Sequence, residues 1–239
     1  MATTTQTAPK KVGKLFTSVG LKIQMAVTGI IFVGFVLMHM YGNLKMFGGA
    51  EVYNTYAEHL REVGEPYLPY GGLLWILRIV LLVSLVLHMH AAFILWKRGN
   101  AARGTAYKVK RGNKDQQTYA SRTMRWGGVI IFSFIVYHIL QFTVLAISVG
   151  ADDYSTMTPY DRMIAGFQPE VWWSYAIYFI VIFLLAMHVR HGVWSALATL
   201  GWSNRYREPV FNLISMLAAA ALFIGFMAPP TSILVGLIP

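Results

Sequence analysis

Four histidines, His39, His88, His138 and His188, stand one in each of four long apolar stretches. An imidazole surrounded by hydrocarbon is expensive, and ionisable side chains in such places are generally functional. Three chemistries use buried imidazoles in this way. A zinc site wants three or four ligands at one depth, often with a carboxylate, but no Asp or Glu lies within any of the stretches. A proton relay usually recruits Asp or Glu as well. Bis-histidine haem needs only two imidazoles on facing helices and small residues that admit a porphyrin. Four histidines on four helices would hold two haems. The plainer reading of each, a neutral imidazole bonded to a neighbouring carbonyl, weakens when the same feature recurs on four separate segments.

Depth constrains how the four would combine. At 1.5 Å per residue, His88 lies roughly 13 Å from the inner end of its stretch and His39 roughly 24 Å, with His138 and His188 both near 18–20 Å. His39 and His88 therefore do not share an iron, and two haems would be stacked across the membrane. Depth leaves open which of His138 and His188 joins which. His90 lies about 200° around the helix from His88, so one pocket does not use both. His191 is one turn from His188, in place for a haem propionate or a quinone. Arg78 and Arg190 suit propionates, because guanidinium pairs carboxylate bidentately. Polar packing or a snorkelling cation would explain the same two arginines.

The elements that must position these residues follow from hydropathy. The 239-residue chain is 56% hydrophobic and 13% charged, well under the roughly 25% charge of soluble domains. Its apolar runs reach the ~20 residues that cross a bilayer as helix. Five are expected, at about 22–47, 72–96, 126–149, 171–200 and 210–237. This predicts an all-α membrane protein, a five-helix transmembrane bundle over residues 21–239 behind a basic tail, 1–20. Within the first span, Gly29, Gly34 and Gly42 permit close approach of a helix or a flat ligand. Residues 51–63, with Val52, Tyr56, Leu60 and Val63 at helical spacing, read as a short amphipathic helix at the interface; His59 on it reads as solvated. The fifth span carries neither charge nor histidine before Pro229-Pro230 and reads as packing. Cysteine is absent, which excludes disulfides, thiolate metal sites and any iron–sulfur cluster held by this chain's own cysteines. The first 20 residues lack a signal peptide's apolar core, so the first span is expected to be retained.

The net charge of +10 is unevenly spread. Lys97 to Arg125 holds nine Lys or Arg against Asp115 alone, and the tail adds Lys10, Lys11, Lys14 and Lys22. The 45–71 and 150–170 connections carry Glu51, Glu58, Glu62, Glu65, Asp152, Asp153, Asp161 and Glu170. Alternation of this kind is the positive-inside pattern of a membrane protein rather than a nucleic-acid surface. It puts the N-terminus in the cytoplasm and the C-terminus outside.

Beyond composition, SVGLKIQMAVTG, HMYGNLKMFGG around His39, YNTYAEHL, the run from His88 through ILWKRGNAAR, and HVRHGVWSALATLGW around His188 resemble the single-chain, five-helix dihaem cytochrome b anchor of bacterial succinate dehydrogenases and fumarate reductases. The resemblance covers almost the whole chain. It implies two haem b groups with His39, His88, His138 and His188 as axial ligands, His39 paired with His138 as the outer haem and His88 with His188 as the inner. It prefers His88 over His90 and His188 over His191. It implies a flavoprotein subunit and an iron–sulfur subunit on the cytoplasmic face of a bacterial cytoplasmic membrane, and a quinone, often menaquinone, as redox partner. Succinate would be oxidised at the partner's flavin, with electrons carried through iron–sulfur clusters and the haems to quinone, or the reverse towards fumarate. Two alternatives carry different expectations. A haem-free quinone-binding anchor would show no visible absorption, and a histidine-relay proton channel would work without soluble partners. A dimer or trimer of the whole complex would leave no mark on the sequence.

Overall fold

A computed structural model describes residues 17–101, 120–202 and 204–238. The basic tail through residue 16 and most of the basic connection, residues 102–119, lie outside the described residues, as do the side chains of 120–123. Seven α-helices follow in order: α1 Ser18–Leu44, α2 Gly49–Glu62, α3 Gly72–Ala101, α4 Ala120–Phe142, α5 Pro159–Phe167, α6 Trp172–Thr199 and α7 Glu208–Leu234. No strand occurs among the described residues. Helices α1, α3, α4, α6 and α7 are long and apolar enough to cross a membrane, and the chain is a multi-pass membrane protein.

Each long helix is apolar around most of its circumference, because lipid replaces water on its outer side. Leu82, Val86 and Phe93 on α3, and Ile180 on α6, are accordingly exposed. Inside, α1 packs against α3, α6 and α7, α4 against α6, and α6 against α7. Among the described residues, neither α1 with α4 nor α3 with α6 is a closely packed pair. The short helices α2 and α5 touch each other and cap the end of the bundle where α1 finishes and α6 begins. The largest cluster of buried side chains, including Met46, Phe167, Tyr178, Met227 and Ile233, gathers beneath this capped end.

Local chemistry sets the boundaries. Thr17 caps α1, its hydroxyl accepting from Gly20 N at 3.0 Å, so the helix begins at Ser18 rather than near residue 22. Gly49, with φ +83°, turns the chain from α1 into α2. Tyr56 of α2 then lies against Gly42, where an added Cβ would come within 2.9 Å of its ring. Helix α3 runs past Trp96-Lys97-Arg98 to Ala101, since reaching the membrane edge removes no backbone bond. Helix α4 is displaced against its apolar run, beginning at Ala120 rather than near 126 and ending well before 149. It stops at Phe142, and Leu145 takes a positive φ of 62°. Residues of the run are drawn instead into the following loop, where Ser148 Oγ accepts from Tyr154 N at 2.9 Å and Val149 O accepts from the Tyr154 hydroxyl at 2.8 Å. Helix α5 falls in what reads as a loop. Its start has a recognisable signature: Thr158 as cap, Pro159 in the first turn and Asp161 bonding back to Thr158.

Gly150 combines a φ of +73° with a position where an added Cβ would run into the Ala165 carbonyl of α5. Gly99 is helical and open. Gly150→Ala should therefore cost roughly 1–3 kcal/mol from backbone conformation alone, with steric overlap added, whereas Gly99→Ala should stabilise by about 0.5–1 kcal/mol. Thermal melting of the purified protein should move in opposite directions for the two.

Candidate functional site

The bundle brings the four histidines together as two couples. His39 of α1 and His138 of α4 lie with ring centroids 5.8 Å apart. His88 of α3 and His188 of α6 lie 6.3 Å apart. The first couple is towards the capped end and the second towards the opposite end. Along α1, the level of His88 (marked by its partner Thr28) and that of His39 are separated by ~16 Å; along α6, Tyr178 and His188 are ~15 Å apart.

Both couples sit in aromatic or close-packed surroundings. Phe35 stacks on His39 at 5.4 Å and Phe134 on His138 at 5.6 Å, each one helical turn before the histidine it covers. Phe226 of α7 approaches His39 at 5.8 Å, so the last helix helps wall this couple as well as packing the bundle. At the other couple, Phe32 meets His88 edge-on at 5.9 Å. Two glycines face the rings: an added Cβ on Gly29 would lie 3.8 Å from His88 Cε1, and one on Gly128 would lie 3.9 Å from His188 Cε1. A cavity of about 10 Å³ adjoins His188, lined by Met124, Gly127, Leu184 and Met187.

Hydrogen bonding assigns a tautomer to one member of each couple. Thr28 Oγ1 lies 3.0 Å from His88 Nδ1, and the same hydroxyl donates to Gln24 O at 2.8 Å. Its single proton being spent there, it accepts from His88 Nδ1–H. Tyr178 Oη lies 3.0 Å from His138 Nδ1 and donates to Gln141 Oε1 at 3.0 Å, so it too accepts. In both imidazoles the proton is placed on Nδ1 by the partners, and the lone pair is left on Nε2, the form a metal ligand needs. Among the described residues His188 Nδ1 is buried without a hydrogen bond, as are Gln141 Nε2, Tyr137 Oη and Ser174 Oγ. Gln141 is fully buried and holds Tyr178 in place from one turn beyond His138.

The remaining candidates are not members of either couple. His90 is exposed on α3, two residues from His88. His191 is half-buried on α6 and meets Trp194 at 6.4 Å. Arg78 is exposed, its guanidinium 4.9 Å over the Trp75 ring. Arg190 is exposed on α6. Thr28 and Tyr178 escaped the reading of the sequence, although a hydroxyl inside a membrane span is itself a signal that a neighbouring helix needs a polar partner.

These residues fit axial haem ligation on three counts: two facing imidazole couples, Nε2 left free by an anchored Nδ1 in one member of each couple, and glycines set against the rings of His88 and His188. A family model described as the succinate dehydrogenase/fumarate reductase transmembrane subunit matches residues 99–226, more than half of the chain. The matched region contains His138, Tyr178 and His188 and ends at Phe226. No curated protein and no solved structure matches the chain.

Tyr178→Phe keeps the ring that packs against Phe134 and Phe167, each at 4.8 Å, but leaves His138 Nδ1–H unpaired. It should cost about 1–3 kcal/mol. Thr28→Val should cost less than this, since the Met25 carbonyl is also in reach of the His88 N–H, and Thr28→Ser, which keeps the hydroxyl, should recover most of the loss. Thermal melting of the three variants checks the assignment.

Proposed function

The chain belongs to the succinate dehydrogenase/fumarate reductase transmembrane subunit family, and from that premise we propose that it is a dihaem cytochrome b anchor linking an iron–sulfur subunit to membrane quinone. The observation that carries this reading is the pair of histidine couples at two levels of the bundle, each with one imidazole anchored through Nδ1. His39 and His138 would hold one haem b, and His88 and His188 the other. When bound, each haem iron supplies a reversible one-electron carrier.

The protein's own contribution is positional. Thr28 and Tyr178 fix the rings of His88 and His138 and make the imidazoles better electron donors. Phe35, Phe134 and Phe226 keep the His39–His138 level apolar. Neither helix pair that carries a couple, α1 with α4 or α3 with α6, is closely packed among the described residues, and a flat macrocycle would enter between them. Arg78 and Arg190 are exposed and His191 is half-buried one turn from His188; all three would be available to propionates or to quinone. By the charge pattern, the end opposite the α2–α5 cap faces the cytoplasm, where the flavoprotein and iron–sulfur subunits would dock. The His88–His188 couple is then the inner one, and the membrane is a bacterial cytoplasmic membrane with menaquinone as a suitable quinone.

A reduced-minus-oxidised spectrum with a haem count tests the proposal. Two haem b per chain are expected. His39→Ala or His138→Ala should remove one, His88→Ala or His188→Ala the other, and His90→Ala neither. A preparation that retains its soluble subunits and contains no haem would sink the proposal in favour of a haem-free quinone anchor. In a redox titration, Tyr178→Phe should raise the midpoint of the outer haem alone and Thr28→Val that of the inner alone, because each removes an acceptor that stabilises the oxidised iron.

A further inference from the structure

A groove of about 480 Å³ lies between α2 and α5 at the capped end, away from both histidine couples. Its hydrogen-bonding capacity is lopsided. The acceptors along it are occupied. Glu58 takes a bond from Arg61 at 3.2 Å on one oxygen and from the Tyr70 hydroxyl on the other. Asn54 Oδ1 accepts from Tyr160 N at 3.0 Å, and Thr158 is engaged with Asp161. The donors are in surplus. Among the described residues Arg162 bonds through Nε, to Tyr154 O at 2.8 Å, which leaves its two terminal nitrogens. Asn54 Nδ2 and the Thr55 hydroxyl also line the groove and have no hydrogen bond among the described residues.

The charge is lopsided in the same sense. Arg61 is neutralised by Glu58, whereas no ion pair engages Arg162 among the described residues. Burial holds the Arg162 guanidinium below its usual pKa, and the Arg61 charge nearby adds to the effect. An anion in the groove would relieve both. The groove also sits where a headgroup would be. It lies at the ends of spans α1 and α6, with Tyr67 95% exposed, Tyr70 and Trp172 also exposed, and Tyr53 and Tyr56 on α2 itself; these are the amphipathic rings of a membrane interface.

We propose that this groove binds the phosphate of an anionic phospholipid, with Arg162 as its principal contact and Arg61, Asn54 and Thr55 around it. Guanidinium with neutral donors is the chemistry that recognises phosphate oxygens. A neutral quinone carbonyl would leave the Arg162 charge uncompensated. The site is independent of the haem reading and does not fall with it.

The test uses the purified, delipidated complex titrated with short-chain phosphatidylglycerol and followed by native mass spectrometry. One lipid per chain is expected to bind with preference over the rest. Arg162→Gln should weaken it about tenfold, the worth of a charge-assisted bond, while Lys45→Gln, a cation on the other side of α2, should not. Because Arg162 also supports Tyr154, a second variant is needed. Thr55→Leu fills the groove without touching a hydrogen bond and should weaken the lipid with no change in melting temperature. Unchanged binding in both variants overturns the proposal. So does displacement of the lipid by inorganic phosphate at equal concentration, which would make this a site for a free anion, or displacement by a short-chain quinone, which would give the groove to quinone.

Discussion

An imidazole inside a membrane span has an N–H that must find an acceptor, because hydrocarbon offers none. The architecture turns on how two of the four histidines meet this demand. His88 bonds Thr28 across the α1–α3 contact, and His138 bonds Tyr178 across the α4–α6 contact. These are helix pairs in close packing. The histidine couples run the other way, from α1 to α4 and from α3 to α6, between helices that are not closely packed among the described residues. Four helices thus form two hydrogen-bonded pairs, which touch where α1 packs against α6 and face each other through imidazoles at two levels. Hydroxyls and imidazoles have separate duties: the hydroxyls lock each pair, and the couples are left facing one another with Nε2 unspent on His88 and His138.

The two levels are not equivalent. The couple under the α2–α5 cap has phenylalanine stacked on both histidines, a third aromatic from α7, and the main apolar cluster around it. The other has glycine against each ring and, among the described residues, His188 Nδ1 without a partner. Equal ligand chemistry in unequal surroundings is the way a protein sets two like centres apart in potential. One level is the more aromatic and the other is lined by glycine, so two identical groups held at them would not be equivalent.

Much of this was readable beforehand, for physical reasons that also mark where reading fails. Hydropathy found the five spans because lipid punishes any polar backbone outside a helix, and it found the α2 helix because Tyr56 and Leu60 keep helical spacing at an interface. It overran α4, since TVLAISV is apolar enough for lipid and nothing in composition says that Tyr154 will recruit Ser148 and Val149. It missed α5, whose signature is three capping residues rather than a run of apolar ones. The four histidines stood out because imidazoles are rare in spans. Thr28 and Tyr178 did not, because threonine and tyrosine are ordinary there, and only packing shows which hydroxyl meets which ring. Helix α7 read as inert for the same reason: Phe226 is one apolar residue among many until α1 is laid beside it.

Helix geometry explains how α6 serves both levels. Thr28 and His39 on α1 are separated by about three full turns, so they leave the helix in nearly the same direction, within roughly 20°. Tyr178 and His188 on α6 are one residue closer, which turns them about 80° apart. Helix α6 therefore addresses α4 with its tyrosine at one level and α3 with its histidine at the other, while α1 offers one face to both. A single added residue between Tyr178 and His188 would rotate His188 by about 100° and shift it by about 1.5 Å. The rotation is what matters, since an imidazole turned that far around α6 no longer points at His88. The spacing of the polar residues along these helices, more than their depth, decides that the imidazoles meet in couples at all.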